Sequence, residues 1–367
     1  MIGLTHYRTA YTEDLTLIDD VKYPQRVHMF PELYKNLKLG LNYVPHKLAE
    51  NVLDPDLMTH LRINSPGMTA FILASGNAHF AGINPLNRQS QLTYQYKVLP
   101  LSLTQVYAGR IAQLCGATDH IVTDSTACAS SLKVMMDVQT LIRYYGFKRV
   151  CVLAVEDAVT NLTLEFFGEA KASLQAAEDD DGVLPSAFDS KNGKFHIGQG
   201  AVFAVFEKDP EEYHATLDGA FTASEDCKNQ LGQRPDGTGF VTAICGALNA
   251  ANRDNFAMDI IKTHGTGTDM NNVSEKTAIE KIFNMKFCVA TSFKPTIGHT
   301  MGVSGLLETC LLVDSLKTGI VPAIKNRTEE DHVYLSEPAK APERATFLSL
   351  AAGMGNVYSA AIFTMRS

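Results

Sequence analysis

Three short apolar runs in this chain each end at a chemically reactive side chain, and a helical pattern follows each of them. The first run ends at Cys128, the second at His264 and the third in the turn that carries His299. An apolar run followed by a turn and an amphipathic helix predicts a strand–turn–helix unit, and a series of such units predicts an α/β fold. All three side chains are therefore expected on loops held by rigid elements, where catalytic groups concentrate.

Cys128 lies where a helix is predicted to begin. The helical pattern runs over residues 129–145, Gly146 closes it, and its apolar side chains are Leu132, Met135, Val138, Ile142 and Tyr145. A thiol at a helix N-terminus lies near the positive end of the helix dipole and near unpaired backbone N–H groups. Both favour the thiolate, which is the nucleophilic form. A buried structural cysteine is the alternative interpretation, and the two histidine turns count against it.

The two histidine turns are rich in glycine and threonine. Residues 262–268 read Lys-Thr-His-Gly-Thr-Gly-Thr, and residues 292–302 read Ser-Phe-Lys-Pro-Thr-Ile-Gly-His-Thr-Met-Gly. The second turn precedes a helix predicted over about 303–317. A single histidine in such a turn is more often a hydrogen-bonded structural residue. Two of them, together with a thiol in a third turn, are a much rarer coincidence and favour catalysis.

These turns resemble the motifs of the beta-ketoacyl synthases, the decarboxylating condensing enzymes of fatty-acid and polyketide assembly. The nucleophile motif corresponds to residues 125–131, the His-Gly-Thr motif to 264–268 and the Lys-x-x-x-Gly-His-Thr motif to 294–300. Weaker matches are residues 185–189, 198–200 and 353–356. The resemblance covers about residues 100–364 and implies an α/β fold, the thiolase-like duplicated αβαβα five-layer sandwich. The first 95 residues match poorly, which places the N-terminal wall of that fold in question.

The resemblance also implies roles for individual residues. Cys128 would carry the acyl group, and His264 and His299 would donate hydrogen bonds to the enolate. Lys294 would set the electrostatics near the histidines, with Glu308 as its partner. An unpaired lysine or glutamate in the interior is costly, so the two are expected to pair. A solvated helix face is the alternative for Glu308.

Two further sets of contacts are implied for the substrate. The backbone N–H groups of Cys128 and Met354 would form the oxyanion hole, and Thr266 and Thr268 would bind the amides of a pantetheine arm. Ordinary turn hydrogen bonding is the alternative for the threonines. Met354 replaces the aromatic residue that the family carries in this loop, and Asn356 replaces a glycine, so gating of the site is expected to differ.

The implied function is that of a beta-ketoacyl-[acyl carrier protein] synthase. It would join an acyl thioester to malonyl-carrier protein by decarboxylative Claisen condensation, in fatty-acid or polyketide-type biosynthesis. The chain itself would bind no cofactor, because the phosphopantetheine belongs to the acyl carrier protein. Two alternatives remain. One is a non-catalytic or chain-length-setting subunit of a heterodimer, against which the intact Cys128 counts. The other is an acyltransferase or thiolase-like enzyme without decarboxylation. The absence of the second cysteine that thiolases carry counts against it.

Composition limits the partners and the compartment. The 367 residues are 45% hydrophobic, enough for a large core, and no apolar run reaches the eighteen or more residues of a membrane span. Seven cysteines without paired spacing or a Cys/His ligand cluster indicate neither a disulfide scaffold nor a metal site. That pattern suits a reducing, cytoplasmic setting. A net charge of −8 counts against a nucleic-acid partner. Candidates for a carrier-docking patch are Lys133, Arg143, Lys148 and Lys317, although a solvated surface charge is the favoured interpretation of each.

The chain is expected to consist of two halves and to work as a dimer. The boundary is placed after residue 210, so that residues 1–210 carry the nucleophile and residues 211–367 carry both histidine motifs. The family pairs through a strand beside the nucleophile, which here is about Ile121–Ser125. That run would leave an open sheet edge in a monomer, and proteins normally cover such edges. A homodimer, or a pair with a ketosynthase-like second subunit, is therefore expected.

Overall fold

A ten-stranded sheet organises the molecule. The computed structural model describes residues 1–30, 41–42, 44–76, 82–83, 103–189, 193–229, 231–283, 288–329 and 333–366. The strands of this sheet are β1 (Ile2–Tyr11), β5 (Thr69–Ala74), β7 (His120–Asp124), β8 (Arg149–Glu156), β9 (Gly200–Lys208), β10 (Ala215–Ser224), β11 (Ile260–Lys262), β12 (Val289–Thr291), β15 (Arg344–Gly353) and β16 (Val357–Arg366). Three small two-stranded ribbons are formed by β2 (Leu15–Ile18), β3 (Gln25–His28), β4 (Leu41–Asn42), β6 (Gly82–Ile83), β13 (Ile320–Val321) and β14 (Ala339–Lys340).

The sheet has two halves with the same topology. Its order is β12-β11-β15-β16-β10-β1-β9-β8-β5-β7, so the order of each half, read outward from the centre, mirrors the other. In each half the two outer pairings are parallel and the two inner ones antiparallel. The halves are joined where β1 pairs with β10, over two residue pairs. Parallel strands need crossover helices, and those crossovers carry the reactive turns.

Ten helices are present in the part of the chain that the structure describes. They are α1 (Val44–Glu50), α2 (Pro55–Ile63), α3 (Thr104–Cys115), α4 (Ser130–Arg143), α5 (Asn161–Glu169), α6 (Ala176–Asp180), α7 (Thr238–Ala251), α8 (Asp269–Ile282), α9 (Lys294–Ile297) and α10 (Ser304–Lys317). The helices predicted after Cys128 and after His299 correspond to α4 and α10, with ends shifted by one or two residues.

Five layers result from how these helices pack. Helices α4 and α10 contact strands of both half-sheets and fill the space between them. Helices α1 and α3 cover the outer face of the first half, and α7 covers the outer face of the second. The apolar core is correspondingly divided into three clusters, one between the half-sheets and one outside each. This is the thiolase-like sandwich that the resemblance implied.

The N-terminal strand lies in the part of the chain where the motif resemblance is weakest. β1 falls in the poorly matching first 95 residues, yet it lies at the centre of the sheet and pairs with both β9 and β10. Its side chains are buried or half-buried along most of its length. The N-terminal region therefore supplies a central strand of the fold.

Candidate active site

The nucleophile turn and the second histidine turn are built alike and meet each other. Each begins with a residue in the left-handed region, Ala127 at φ 48° and Met301 at φ 48°, and continues through one 3₁₀ turn into α4 or α10. The two 3₁₀ turns are in contact. Cys128 Sγ lies 3.9 Å from Met301 Sδ, so the thiol is against the turn that carries His299.

The resting state of Cys128 differs from the expectation for a helix start. The pKa of the Cys128 thiol is raised to about 12, chiefly by burial and next by the carboxylate of Glu156, against the lowering effects of the Lys294 ammonium and a backbone hydrogen bond. The thiol is 7% exposed. The expected thiolate is therefore wrong for the free protein, because desolvation outweighs the helix start. Cys128 is a neutral thiol at neutral pH.

His264 and His299 form an edge-to-face pair with ring centroids 5.6 Å apart. Burial, and next the ammonium of Lys294, holds the pKa of both imidazoles well below its usual value, so both are neutral at pH 7. Nδ1 of His299 lies 3.0 Å from the Ser304 hydroxyl. We assign that hydroxyl as the donor, which leaves the ring proton of His299 on Nε2. A neutral imidazole of this tautomer offers one N–H to a ligand.

Lys294 and Glu308 form the ion pair that the sequence predicted, and this pairing is confirmed. Lys294 Nζ lies 2.7 Å from Glu308 Oε1 and also donates to the carbonyl oxygen of His264 at 2.5 Å. A second lysine shares the carboxylate, because Lys262 Nζ lies 3.0 Å from Glu308 Oε2. All three side chains are at most 1% exposed.

A buried carboxylate also holds the backbone of the His264 turn. Glu275 of α8 accepts from the backbone N–H of His264 at 2.5 Å, from that of Gly265 at 2.9 Å, and from the side-chain amide of Asn271 at 2.8 Å. Gly265 has φ 56°, and a side chain there would collide with Ser292 Oγ at 2.3 Å. The turn is thereby held rigidly with the His264 ring on it.

The loop after β15 lies against the nucleophile. A Cβ added to Gly353 would lie 2.7 Å from the Thr126 carbonyl oxygen and 3.3 Å from the Cys128 nitrogen. Met354 follows in the turn and is 37% exposed. The backbone of this loop therefore approaches the Cys128 N–H closely, as an oxyanion hole shared by Cys128 and Met354 would require.

The two threonines of the first histidine turn contact each other. Thr266 Oγ1 and Thr268 Oγ1 are 3.0 Å apart, with Thr266 buried and Thr268 half-buried. A hydroxyl can turn to a new partner, so this contact leaves both able to bond a ligand amide.

Two family models match the chain over most of its length. The model described as "Beta-ketoacyl synthase, N-terminal domain" matches residues 38–211, and "Beta-ketoacyl synthase, C-terminal domain" matches residues 214–328. The chain belongs to the beta-ketoacyl synthase family. The family assignment made from the three turns is confirmed.

Curated relatives of this family member are polyketide and fatty-acid synthases. It is 28% identical over 272 residues to an oxytetracycline polyketide putative beta-ketoacyl synthase 1 of Streptomyces rimosus, covering 70% of this chain and 63% of that one. It is 27% identical over 239 residues to 3-oxoacyl-[acyl-carrier-protein] synthase 2 of Vibrio harveyi, covering 62% of this chain and 57% of that protein. The chain thus matches under two thirds of the length of these relatives.

Solved ketosynthase structures share the fold of this family member. A complex of a type II polyketide synthase acyl-carrier protein with its ketosynthase aligns over 100% of this chain and 99% of that one, at 18% identity and a TM-score of 0.79. A complex of a ketosynthase with its chain length factor from Xenorhabdus doucetiae aligns over 99% and 98%, at 18% identity and a TM-score of 0.78.

Sequence reasoning missed four polar residues of this ketoacyl synthase site. They are Lys262, Glu275, Ser304 and Glu156, whose Oε2 accepts from Gly302 N at 2.7 Å and from Gly76 N at 3.0 Å. Lys262 begins a recognised motif, and Ser304 opens the helix after another, so their positions carried a signal. Glu275 and Glu156 are recognisable only once distant loops have been brought together.

The four basic residues considered for carrier docking are engaged within the chain. Lys133 pairs with Asp124 and Asp137, and Lys317 pairs with Asp314. The guanidinium of Arg143 donates to backbone carbonyl oxygens at the end of α7 and in β10, and Lys148 donates to that of Pro66.

Proposed function

We propose that this protein catalyses the decarboxylative condensation of an acyl thioester with malonyl-carrier protein. The observation that carries the proposal is that the thiol of Cys128 lies against the turn that carries His299, which forms a buried pair with His264. A neutral imidazole can donate a hydrogen bond to an enolate oxygen without transferring its proton outright. Thiol transfer alone would need no second histidine.

The first step is acyl transfer to Cys128. The sulfur attacks the thioester carbonyl carbon, the bond from that carbon to the carrier's sulfur breaks, and the thiol proton leaves with the carrier thiol. Because the pKa of the thiol is raised in the free protein, attack requires the proton to be removed as the carrier arm fills the site. The negative oxygen of the intermediate would be met by the backbone N–H groups of Cys128 and Met354, each typically contributing about 3–4 kcal/mol.

The second step begins with malonyl-carrier. Its carboxylate leaves as carbon dioxide, and the electron pair moves into an enolate whose thioester oxygen is met by His264 and His299. The enolate carbon then attacks the acyl group on Cys128, the carbon–sulfur bond breaks, and the thiolate takes up a proton. The product is a 3-ketoacyl thioester on the carrier. Thr266 and Thr268 would hold the amides of the pantetheine arm.

The buried charges support this sequence of events. The ammonium of Lys294 would stabilise the negative charge of the malonyl carboxylate and of the enolate. Glu308 holds the lysine in place through their ion pair. Glu275 fixes the loop of His264 through the backbone. These groups are positioned before substrate arrives, and such preorganisation is what stabilises a developing charge.

The expected partners follow from the same chemistry. An acyl carrier protein would bring the phosphopantetheine arm, and no cofactor is proposed on the chain itself. A homodimer, or a pair with a ketosynthase-like second subunit, is proposed from the open edge at β7. A cytoplasmic location is proposed because the seven cysteines are unpaired. No helix in the described ranges is long and apolar enough to cross a membrane.

We also propose that the chain divides into halves at residues 1–210 and 211–367. Support comes from the equal strand order of the two half-sheets, whose first strands are β1 and β10. The boundary between the two family models, after residue 211, lies at the same place.

Two measurements on Cys128 and histidine variants test the reaction. Incubation with an acyl-carrier protein should add one acyl group, seen by intact-mass analysis, and Cys128→Ala should remove that adduct. Cys128→Gln should abolish condensation yet still release carbon dioxide from malonyl-carrier, because the amide resembles the acylated thiol and leaves the imidazoles in place. Adding His264→Ala or His299→Ala to Cys128→Gln should lower that release about 100-fold.

The outcomes separate the remaining alternatives. An acyl adduct without carbon dioxide release would indicate an acyltransferase. Neither adduct nor release would favour a non-catalytic subunit of a heterodimer, for which the similarity to a ketosynthase–chain length factor complex provides a precedent. Release at the parent rate in both histidine variants would contradict their role.

A further inference from the structure

Lys262 is a fully buried lysine whose ammonium bonds two elements of the site. Its Nζ lies 3.0 Å from Glu308 Oε2 and 2.9 Å from the carbonyl oxygen of Leu350. Lys262 ends β11, two residues before His264, and Leu350 lies on β15, three residues before Gly353. β11 and β15 are already paired in the sheet at this point, and the Lys262 side chain adds a bond from the end of β11 to Glu308 of α10.

Neutralising Glu308 does not by itself account for this lysine. Glu308 already has an ammonium partner in Lys294, at 2.7 Å. Removing a second ammonium from water carries a large desolvation cost, and Glu308 does not require it as a counter-ion. Burial accordingly lowers the pKa of Lys262, and the positive charge of Lys294 lowers it further. The carboxylates of Glu308 and Glu275 raise it in part. A second buried lysine therefore points to a use beyond neutralising Glu308.

We propose that Lys262 is a positioning residue for malonyl decarboxylation, which anchors the end of β11 that leads to His264 and adds positive charge near the imidazole pair. This inference rests on the condensing function proposed above. Lys262 is assigned no part in acyl transfer itself, since its bonds go to Glu308 and to the backbone carbonyl of Leu350 and not to Cys128.

The field of Lys262 reaches both histidines. Its positive charge is one of the causes that lower the pKa of His264 and of His299, after burial and Lys294. The charged groups around the pair are Lys262 at the end of β11, Lys294 on α9, Glu308 on α10, Glu275 on α8 and Glu156 at the end of β8. Loss of Lys262 makes the net charge of this set more negative. The set then repels the malonyl carboxylate and destabilises the enolate.

The test uses Lys262→Met in the Cys128→Gln parent, because that parent reports decarboxylation without acylation. Carbon dioxide release per folded protein should fall about tenfold, less than the loss expected from removing a donor itself. In the protein with Cys128 intact, the rate of acyl adduct formation should change less than threefold in Lys262→Met. The acid limb of the decarboxylation profile should also move to higher pH, because the histidine pKa values rise when the positive charge is removed.

Matched variants separate positioning from stability. Arg149 is another buried cation bonded to one carboxylate, Glu207 at 2.7 Å, and to one backbone carbonyl, that of Leu61 at 2.9 Å, but it lies at the opposite end of β8 from Glu156. Arg149→Met should lower thermal stability and leave release per folded protein unchanged. Lys262→Arg, which keeps the charge, should retain more release than Lys262→Gln, which keeps only a donor; this comparison also serves if Lys262→Met does not fold.

The inference is overturned if the Lys262 variants release carbon dioxide at the parent rate. It is overturned equally if release and acylation fall together, with an unmoved pH profile, since that pattern is a general structural loss. Absence of release from the Cys128→Gln parent itself would instead refute the proposed function, and this inference with it.

Discussion

At the scale of single residues, burial decides the reactivity of Cys128. Cys128 lies at a helix start, as the sequence predicted. The backbone hydrogen bond there lowers the pKa of the thiol less than burial and the carboxylate of Glu156 raise it. A free protein whose nucleophile is a neutral thiol is protected from unwanted alkylation. Under the proposed function it would become reactive when a thioester and its arm occupy the site.

The alkylation rate of Cys128 should therefore rise with pH far beyond the usual range of a thiol. Since its pKa is about 12, the thiolate fraction should rise about tenfold per pH unit from pH 7 to 10 without a plateau. Iodoacetamide modification followed by peptide mass analysis measures this. A plateau near pH 8 would mean that burial does not dominate.

Glu156→Gln should increase that rate several-fold at pH 8, because it removes a negative charge that raises the pKa of Cys128. The backbone N–H groups of Gly76 and Gly302 bond the same oxygen of Glu156, and the amide oxygen of a glutamine can accept from both. Glu212→Gln removes an equal charge from an exposed position and should change nothing. An unchanged rate in Glu156→Gln would refute the electrostatic effect.

The residues that sequence reasoning recovered are those within motifs. Cys128, His264, His299 and Lys294 all belong to such stretches, and the pairing of Lys294 with Glu308 followed from the cost of an unpaired interior charge. The second partner of Glu308 could not be foreseen in the same way. Lys262 is 46 residues away from it, and only the packing of β11 against α10 brings the two together.

At the scale of elements, the site depends on how closely the β15–β16 turn approaches the nucleophile. Gly353 has backbone atoms of Thr126, Cys128 and Ala129 within 3.3 Å of where a Cβ would be placed. Backbone cannot move aside as a side chain can. The loop that carries Met354 thus requires glycine at this position for steric reasons.

Gly353→Ala should lower the rate of acyl adduct formation about 100-fold, because the turn is pushed away from the Cys128 N–H and the oxyanion hole opens. The rate is measured by intact mass against time with an acyl-carrier protein. Gly109→Ala, in the middle of α3 with nothing within 4 Å of the added carbon, should keep the wild-type rate. If Gly353→Ala is acylated at the wild-type rate, the proposed role of the Met354 N–H in the oxyanion hole is wrong.

Element boundaries show where a sequence pattern is sufficient. Helices α4 and α10 were predicted nearly to their ends, because each has strong apolar periodicity and a distinct start. β1 was not predicted as part of the sheet, since it lies in a region without recognised motifs. Its central place depends on pairing with β9 and β10, which lie about 200 residues later in the chain, and local pattern carries no such information.

At the scale of the whole molecule, the fold creates an edge that needs covering. β7 is the last strand on its side of the ten-stranded sheet and pairs on one side only, with β5, among the described residues. Its five residues are half-buried or exposed. The other outer strand, β12, lies in the second half, where Tyr334 forms a bridge to Ala290. The two halves are thus alike in strand order but differ at their edges.

We therefore expect β7 to pair with a second chain, either a copy of this one or a ketosynthase-like subunit. Such obligate pairs bury more than roughly 2,000 Å². Sedimentation at micromolar concentration should show a species of about twice the 40.1 kDa chain, and hydrogen exchange should be slow in the peptide that contains His120–Asp124. If the protein is folded and active only after co-expression with a synthase-like chain, the partner is a different subunit. A stable, active monomer with fast exchange in β7 would show that the edge tolerates solvent, and the dimer prediction would be wrong.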